Sequence, residues 1–135
     1  MVDFNLALEI SKFFIITLLF GIAAYKDIKE REVEDKIWIL TLVSASPITF
    51  LQIFYLKSIK LVDFITSLIL CFIFGLLLFY VAKFGGADAK ALWVLPFVFP
   101  VRPQIDINTV LQPGYFLPFA VSVLFNAILL SVSYI

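Results

Sequence analysis

The chain has 135 residues, 63% of them hydrophobic, with ten basic and ten acidic side chains, one cysteine, no histidine and a mean hydropathy of +1.10. Zero formal charge argues against nucleic acid as a partner. Without histidine, Ser-His and Cys-His hydrolysis and a His-Glu-x-x-His zinc protease are excluded, and the lone Cys71 allows neither an internal disulfide nor a multi-cysteine zinc site. Hydrolytic chemistry is left to carboxylates or a Ser-Lys pair, and no metal or cofactor is expected.

About 20 apolar residues cross roughly 30 Å of hydrocarbon. The N-terminus lacks a basic start and a small-residue cleavage site and carries Asp3, so the first hydrophobic segment, about 4–26, reads as a permanent span. Glu9 and Lys12 sit in its outer half at a spacing that lets them pair, with Lys12 snorkelling toward the headgroups. A charged island over 26–36 leads to a second span, about 36–55, in which Pro47 is expected to make a kink. After a short turn with Lys57 and Lys60, the third span covers about 62–83, with Cys71 as a small apolar filler. The fourth segment, 85–101, is only about 25 Å long as a helix, and Pro96 and Pro100 break its far half. Short, Pro- or Gly-interrupted segments point to sites in membrane folds, and Asp88 should lie just below the headgroups here. A polar loop over 102–114 and a fifth span over about 116–135 follow. The fold class is an all-α polytopic membrane protein in a lipid bilayer, with about five transmembrane helices forming one domain over 1–135.

Lys26, Lys29, Arg31, Lys36, Lys83 and Lys90 fall on one side, and Lys12, Lys57, Lys60 and Arg102 on the other. That bias favours an external N-terminus with the first and third loops cytoplasmic. Because each crossing reverses direction, the end of the first span and the start of the fourth segment share one membrane face. Asp27 closes the first and Asp88 opens the second, so topology permits a paired-carboxylate site.

Two carboxylates in one site cannot both ionise cheaply. One then acts as base toward a water while the other, protonated, polarises a substrate carbonyl. Asp88 lies near a helix N-terminus, which favours its anion, and Asp27 lies at a C-terminus among Lys26, Lys29 and Arg31, so either can carry the proton. Gly85 and Gly86 allow unusual backbone angles and close approach of a substrate chain.

The two islands, Asp27-Ile28-Lys29-Glu30-Arg31-Glu32-Val33-Glu34-Asp35 and Gly85-Gly86-Ala87-Asp88-Ala89-Lys90, together resemble the type IV prepilin peptidase family and its archaeal preflagellin (pre-archaellin) peptidase branch. Pro118-Phe119-Ala120-Val121-Ser122-Val123-Leu124-Phe125-Asn126-Ala127 also looks like that family's following span. The resemblance implies a GxGD-type aspartyl endopeptidase with catalytic Asp27 and Asp88, cutting the basic leader from pilin-like or archaellin-like precursors at the cytoplasmic membrane face. Gly85, Gly86, Ala87, Lys90, Lys29, Arg31 and Asp35 are its expected motif and support residues, with Arg31 able to pair with Asp27 and Lys90 able to tune Asp88. The family's glycine before the second aspartate is Ala87 here, where a small residue is expected to suffice. Five spans against the family's six or more, with hydrophobic sequence running to Ile135, suggest a C-terminally shortened member. With one cysteine and a short first loop, methyltransferase activity is not expected.

Two rivals stand beside the peptidase. A carboxylate-based ion transporter wants ionisable groups at mid-membrane depth, which the second, third and fifth spans lack. A non-catalytic subunit of a pilus or archaellum assembly would tolerate loss of either aspartate. A Ser-Lys hydrolase is disfavoured because neither island holds a serine.

Overall fold

The structure is a computed structural model that describes residues 2–81, 83, 85–103 and 119–133. Its elements are α1 (Val2–Glu30), α2 (Asp35–Phe54), α3 (Leu61–Tyr80), α4 (Gly86–Val98) and α5 (Phe119–Ser133). α1, α2 and α3 are long and apolar enough to cross a membrane, and α5 contributes a shorter apolar stretch. The chain is a multi-pass membrane protein. Most of the expected polar loop and the start of the fifth span fall at 104–118, outside the described residues.

Burial is inverted relative to a water-soluble domain. Phe14, Val62 and Leu129 are about 70% exposed, whereas Glu9, Lys12, Thr41, Thr49, Gln52 and Ser67 are buried. Such an outer surface suits hydrocarbon, and the polar groups inside must find partners there.

α1 outruns its expected end at Lys26 by four residues. No glycine or proline interrupts 26–30, and Lys29 in the last turn meets the negative end of the helix dipole. The chain leaves through Arg31, at φ 53°, whose backbone N–H still bonds the Asp27 carbonyl at 3.0 Å. Asp27 therefore sits one turn inside the helix. α2 runs through Pro47 to Phe54 without a break. α4 is shorter than expected: Gly85 caps it in extended geometry, and Phe99 leaves the helical region (φ −129°, ψ 80°) because the residue before Pro100 is sterically barred from it. Thirteen helical residues reach about 20 Å.

α4 is the central element, touching all four other helices. Leu92, Leu95, Val98 and Phe99 join Ile16, Ala45, Cys71, Ala120 and Val121 in the main core, so Cys71 is the apolar filler it was expected to be. α3 accepts α4 closely at Gly75, where an added Cβ would stand 2.0 Å from Trp93 Nε1. The indole N–H there donates to the Phe72 carbonyl at 3.3 Å. Glu9 and Lys12 do pair, at 3.3 Å, but Lys12 does not snorkel. Its side chain is fully buried, facing α2 and the end of α4, because Glu9 and the Phe99 ring supply inside the bundle what headgroups would supply outside.

Candidate active site

Phe20, Ala23, Ala24 and Asp27 recur at helical spacing along one face of α1, and Ala87, Asp88 and Ala91 along one face of α4. Together with Val33 and Trp38 they line a cleft of about 200 Å³. Asp27 and Asp88 thus open into one recess, which has room for several water molecules. Ala23, Ala24, Ala87 and Ala91 in its lining are small and leave the space beside the carboxylates open. Trp38 closes one wall, with its ring edge-on to Phe20 at 5.6 Å and its indole N–H unpartnered among the described residues. A second, apolar recess of about 290 Å³ lies between α3, α4 and α5 and shares Phe20, Asp88 and Ala91 with the first. Asp88 stands where the two meet.

Partial burial holds the Asp88 carboxyl above the usual aspartate range, and the negative charge of Asp27 adds to the effect. Asp88 still reaches the solvent of the cleft, so the shift reflects crowding by its apolar neighbours and not full enclosure. Among the described residues neither carboxylate forms an ion pair, although bases are close in sequence.

Those bases are engaged elsewhere. Lys90 pairs with Asp35, tying the start of α4 to the start of α2, and makes no ion pair with Asp88 among the described residues. Lys26 pairs with Glu34, whose pKa falls because of that hydrogen bond. Lys29 lies over the Tyr25 ring at 5.8 Å. Arg31 meets Asp27 only through the backbone, since its left-handed geometry carries the side chain away from the helix face. Gly85 and Gly86 adopt negative φ and so do not use the unusual angles they allow. A Cβ at either would meet only ordinary contacts, at 3.7 Å from Asp88 Oδ2 and from Phe79 Cε2 respectively. The structure therefore brings together Asp27, Ala87 and Asp88 in the cleft lining, while Asp35 and Lys90 pair with each other and do not line it. Phe20, Trp38 and Ala91 are cleft residues that sequence reasoning missed. Counting back from Asp27 by helical turns would have found Phe20, and Ala91 follows Asp88 by nearly one turn.

Comparison with known proteins bears on this arrangement. The profile described as the type IV leader peptidase family matches residues 13–135. The chain belongs to that family. It is 34% identical over 116 residues, 82% of this chain and 49% of the relative, to a preflagellin peptidase of Methanococcus voltae. Over 111 residues it is 31% identical to a preflagellin peptidase of Methanococcus maripaludis, covering 79% of this chain and 48% of that protein. This member of the leader peptidase family thus spans about half the length of the curated relatives it matches. No solved structure matches it.

Proposed function

We propose that residues 1–135 act as a single transmembrane aspartyl endopeptidase domain that removes the leader peptide from archaellin-like or pilin-like precursors. The observation that carries this reading is that Asp27 and Asp88, on separate helices, line one cleft in a chain of the leader peptidase family. The curated relatives are preflagellin peptidases, which favours an archaellin-like substrate. Cleavage takes place at the cytoplasmic face of the cell membrane, where the bias of basic residues puts the first loop.

Asp88, held above the usual carboxylate range, carries the shared proton, and Asp27 is the base. A water between them gives a proton to Asp27 while its oxygen attacks the scissile carbonyl carbon, and Asp88 protonates the carbonyl oxygen. Collapse of the resulting diol breaks the C–N bond, a proton passes to the leaving amine, and the dyad returns to its starting state. The apolar recess that meets the cleft at Asp88 takes the substrate's hydrophobic segment, so the extended leader passes the two carboxylates in turn.

The test incubates the detergent-solubilised protein with a precursor peptide spanning the leader and the first part of the hydrophobic segment. Asp27→Asn and Asp88→Asn, each checked for helicity, should each lose about 10²- to 10⁴-fold in turnover, the usual contribution of a positioned acid or base. Full turnover by either folded variant would refute the dyad.

A further inference from the structure

Opposite the cleft, a second cluster of polar side chains runs from the surface at Ser58 into the interior of the bundle. Gln52 Nε2 donates to Asn5 Oδ1 at 2.8 Å and to Glu9 Oε1 at 2.9 Å. Lys12 Nζ donates to the same Glu9 oxygen at 3.3 Å, and Ser58 Oγ donates to Asn5 Oδ1 at 3.2 Å. The Lys12 ammonium also lies 4.9 Å from the centre of the Phe99 ring, just past the end of α4. One residue earlier, the Val98 carbonyl accepts a bond from Thr49 Oγ1 at 3.2 Å. Glu9, Lys12, Thr49 and Gln52 are all nearly or fully buried.

We infer that this cluster is a positioning device: it pins the far end of α4 to α1 and α2, and thereby sets how closely Asp88 approaches Asp27. The inference rests on the Asp27/Asp88 reading of the cleft.

Apolar contacts alone would hold α4 poorly, because lipid tails are as apolar as the side chains they would replace. A buried ammonium behaves differently. Were the end of α4 to slide, Lys12 would lose the ring that faces it, and an incompletely partnered charge in hydrocarbon is costly. The Thr49 bond adds an axial stop at a carbonyl that the helix itself leaves without a donor. α1 and α4 otherwise touch sparingly, since the cleft parts them at the other end. The lever is long. Eleven residues separate Phe99 from Asp88, about 16 Å of helix. A tilt of α4 by about 5° at the pin moves the carboxylate by about 1.5 Å, where about 1 Å of misplacement can cost roughly 100-fold in rate.

The test uses spin labels at Ala24→Cys and Ala87→Cys, both lining the cleft, in a Cys71→Ala background in lipid nanodiscs. Two perturbations are compared by pulsed electron resonance. The pair Glu9→Gln with Lys12→Met removes both charges and strands neither. Phe99→Leu keeps the ion pair and removes the ring, so it decides the matter should the first fail to fold. The expected result, in label-free counterparts that retain wild-type helicity, is a kcat about tenfold lower or more with KM within about threefold. The 24–87 distance should shift or broaden by about 1.5 Å in the labelled forms. A wild-type distance distribution, or a wild-type kcat, in a folded variant would overturn the inference. Failure of the dyad reading shows separately, as undiminished turnover by Asp27→Asn, because the label distance does not depend on cleavage.

Discussion

A single methyl group at Gly75 tests the packing that carries Asp88. Built on the backbone, that Cβ falls 2.0 Å from Trp93 Nε1, 2.6 Å from Cδ1 and 3.0 Å from Cε2. Ordinary contact needs about 3.5–4 Å, so something must move by about 1.5 Å. If the indole swings, it gives up its hydrogen bond to the Phe72 carbonyl and its contact with the Phe72 ring at 5.4 Å. These are worth about 1 kcal/mol and about 0.5–1.5 kcal/mol respectively. If the helices part instead, overpacking costs about 1–3 kcal/mol. Removing a helical glycine returns up to about 1 kcal/mol, so Gly75→Ala should destabilise by about 1–2 kcal/mol net. The control is Gly21→Ala, where a Cβ meets nothing within 4 Å and the same propensity gain goes unopposed. Reversible unfolding in mixed micelles, followed by far-ultraviolet circular dichroism, gives both numbers. Equal stability of the two variants would refute the packing argument. Turnover distinguishes the two routes, because a swung ring leaves Asp88 in place and a displaced α4 moves it.

Removing the Asp27 charge by Asp27→Asn should lower the Asp88 pKa only part way toward its ordinary range, since burial, the larger cause, remains; carboxyl ¹³C NMR titration reads it. A raised folded-state pKa means that ionising Asp88 opposes folding, so Asp88→Asn should stabilise the protein at neutral pH. That gain should disappear as pH falls below the ordinary aspartate range, which melts across pH would show. Lys90→Met breaks an exposed pair with Asp35 and should leave both the melting temperature and the Asp88 titration nearly unchanged; a large shift in the latter would restore Lys90 as its tuning base. Arg31→Gly relieves a left-handed residue at the end of α1 and should raise stability by about 0.5–1 kcal/mol in the same unfolding assay.

The helices were legible because crossing hydrocarbon demands a length and an apolar run that few other segments meet. That Asp27 and Asp88 could meet was legible because alternating crossings would bring the end of α1 and the start of α4 to one side, and the two residues do line one cleft. Pairing was not legible. From spacing, Asp27 with Arg31 and Asp88 with Lys90 were the near neighbours, yet Lys90 reaches Asp35 and Lys26 reaches Glu34. Sequence distance along one helix says little about which neighbouring helix offers a better partner. The burial of Lys12 was hidden for the same reason: a lysine near the end of a span ordinarily reaches the headgroups, and here Gln52 holds its partner Glu9 inside the bundle while the Phe99 ring faces its ammonium. The glycines misled differently. Gly85 and Gly86 adopt angles open to any residue, whereas Gly75, unremarked in an apolar run, is the one that a neighbour requires.

α4 is restrained unevenly along its length, and the order of restraints follows from dielectric. At its far end, Lys12 and Thr49 act in an apolar interior where a lost partner is expensive. At its middle, Gly75 and Trp93 interlock by shape. At its near end the ion pair tying it to α2 is Lys90 with Asp35, both reached by water, and pairs of that kind contribute little. Asp88 thus occupies the least restrained end of the most enclosed helix, facing an open cleft. Under the proposed peptidase reading, a carboxylate that must gain and lose a proton and admit both water and a peptide needs such a place, while the inferred pin at the opposite end of the same helix would supply the rigidity.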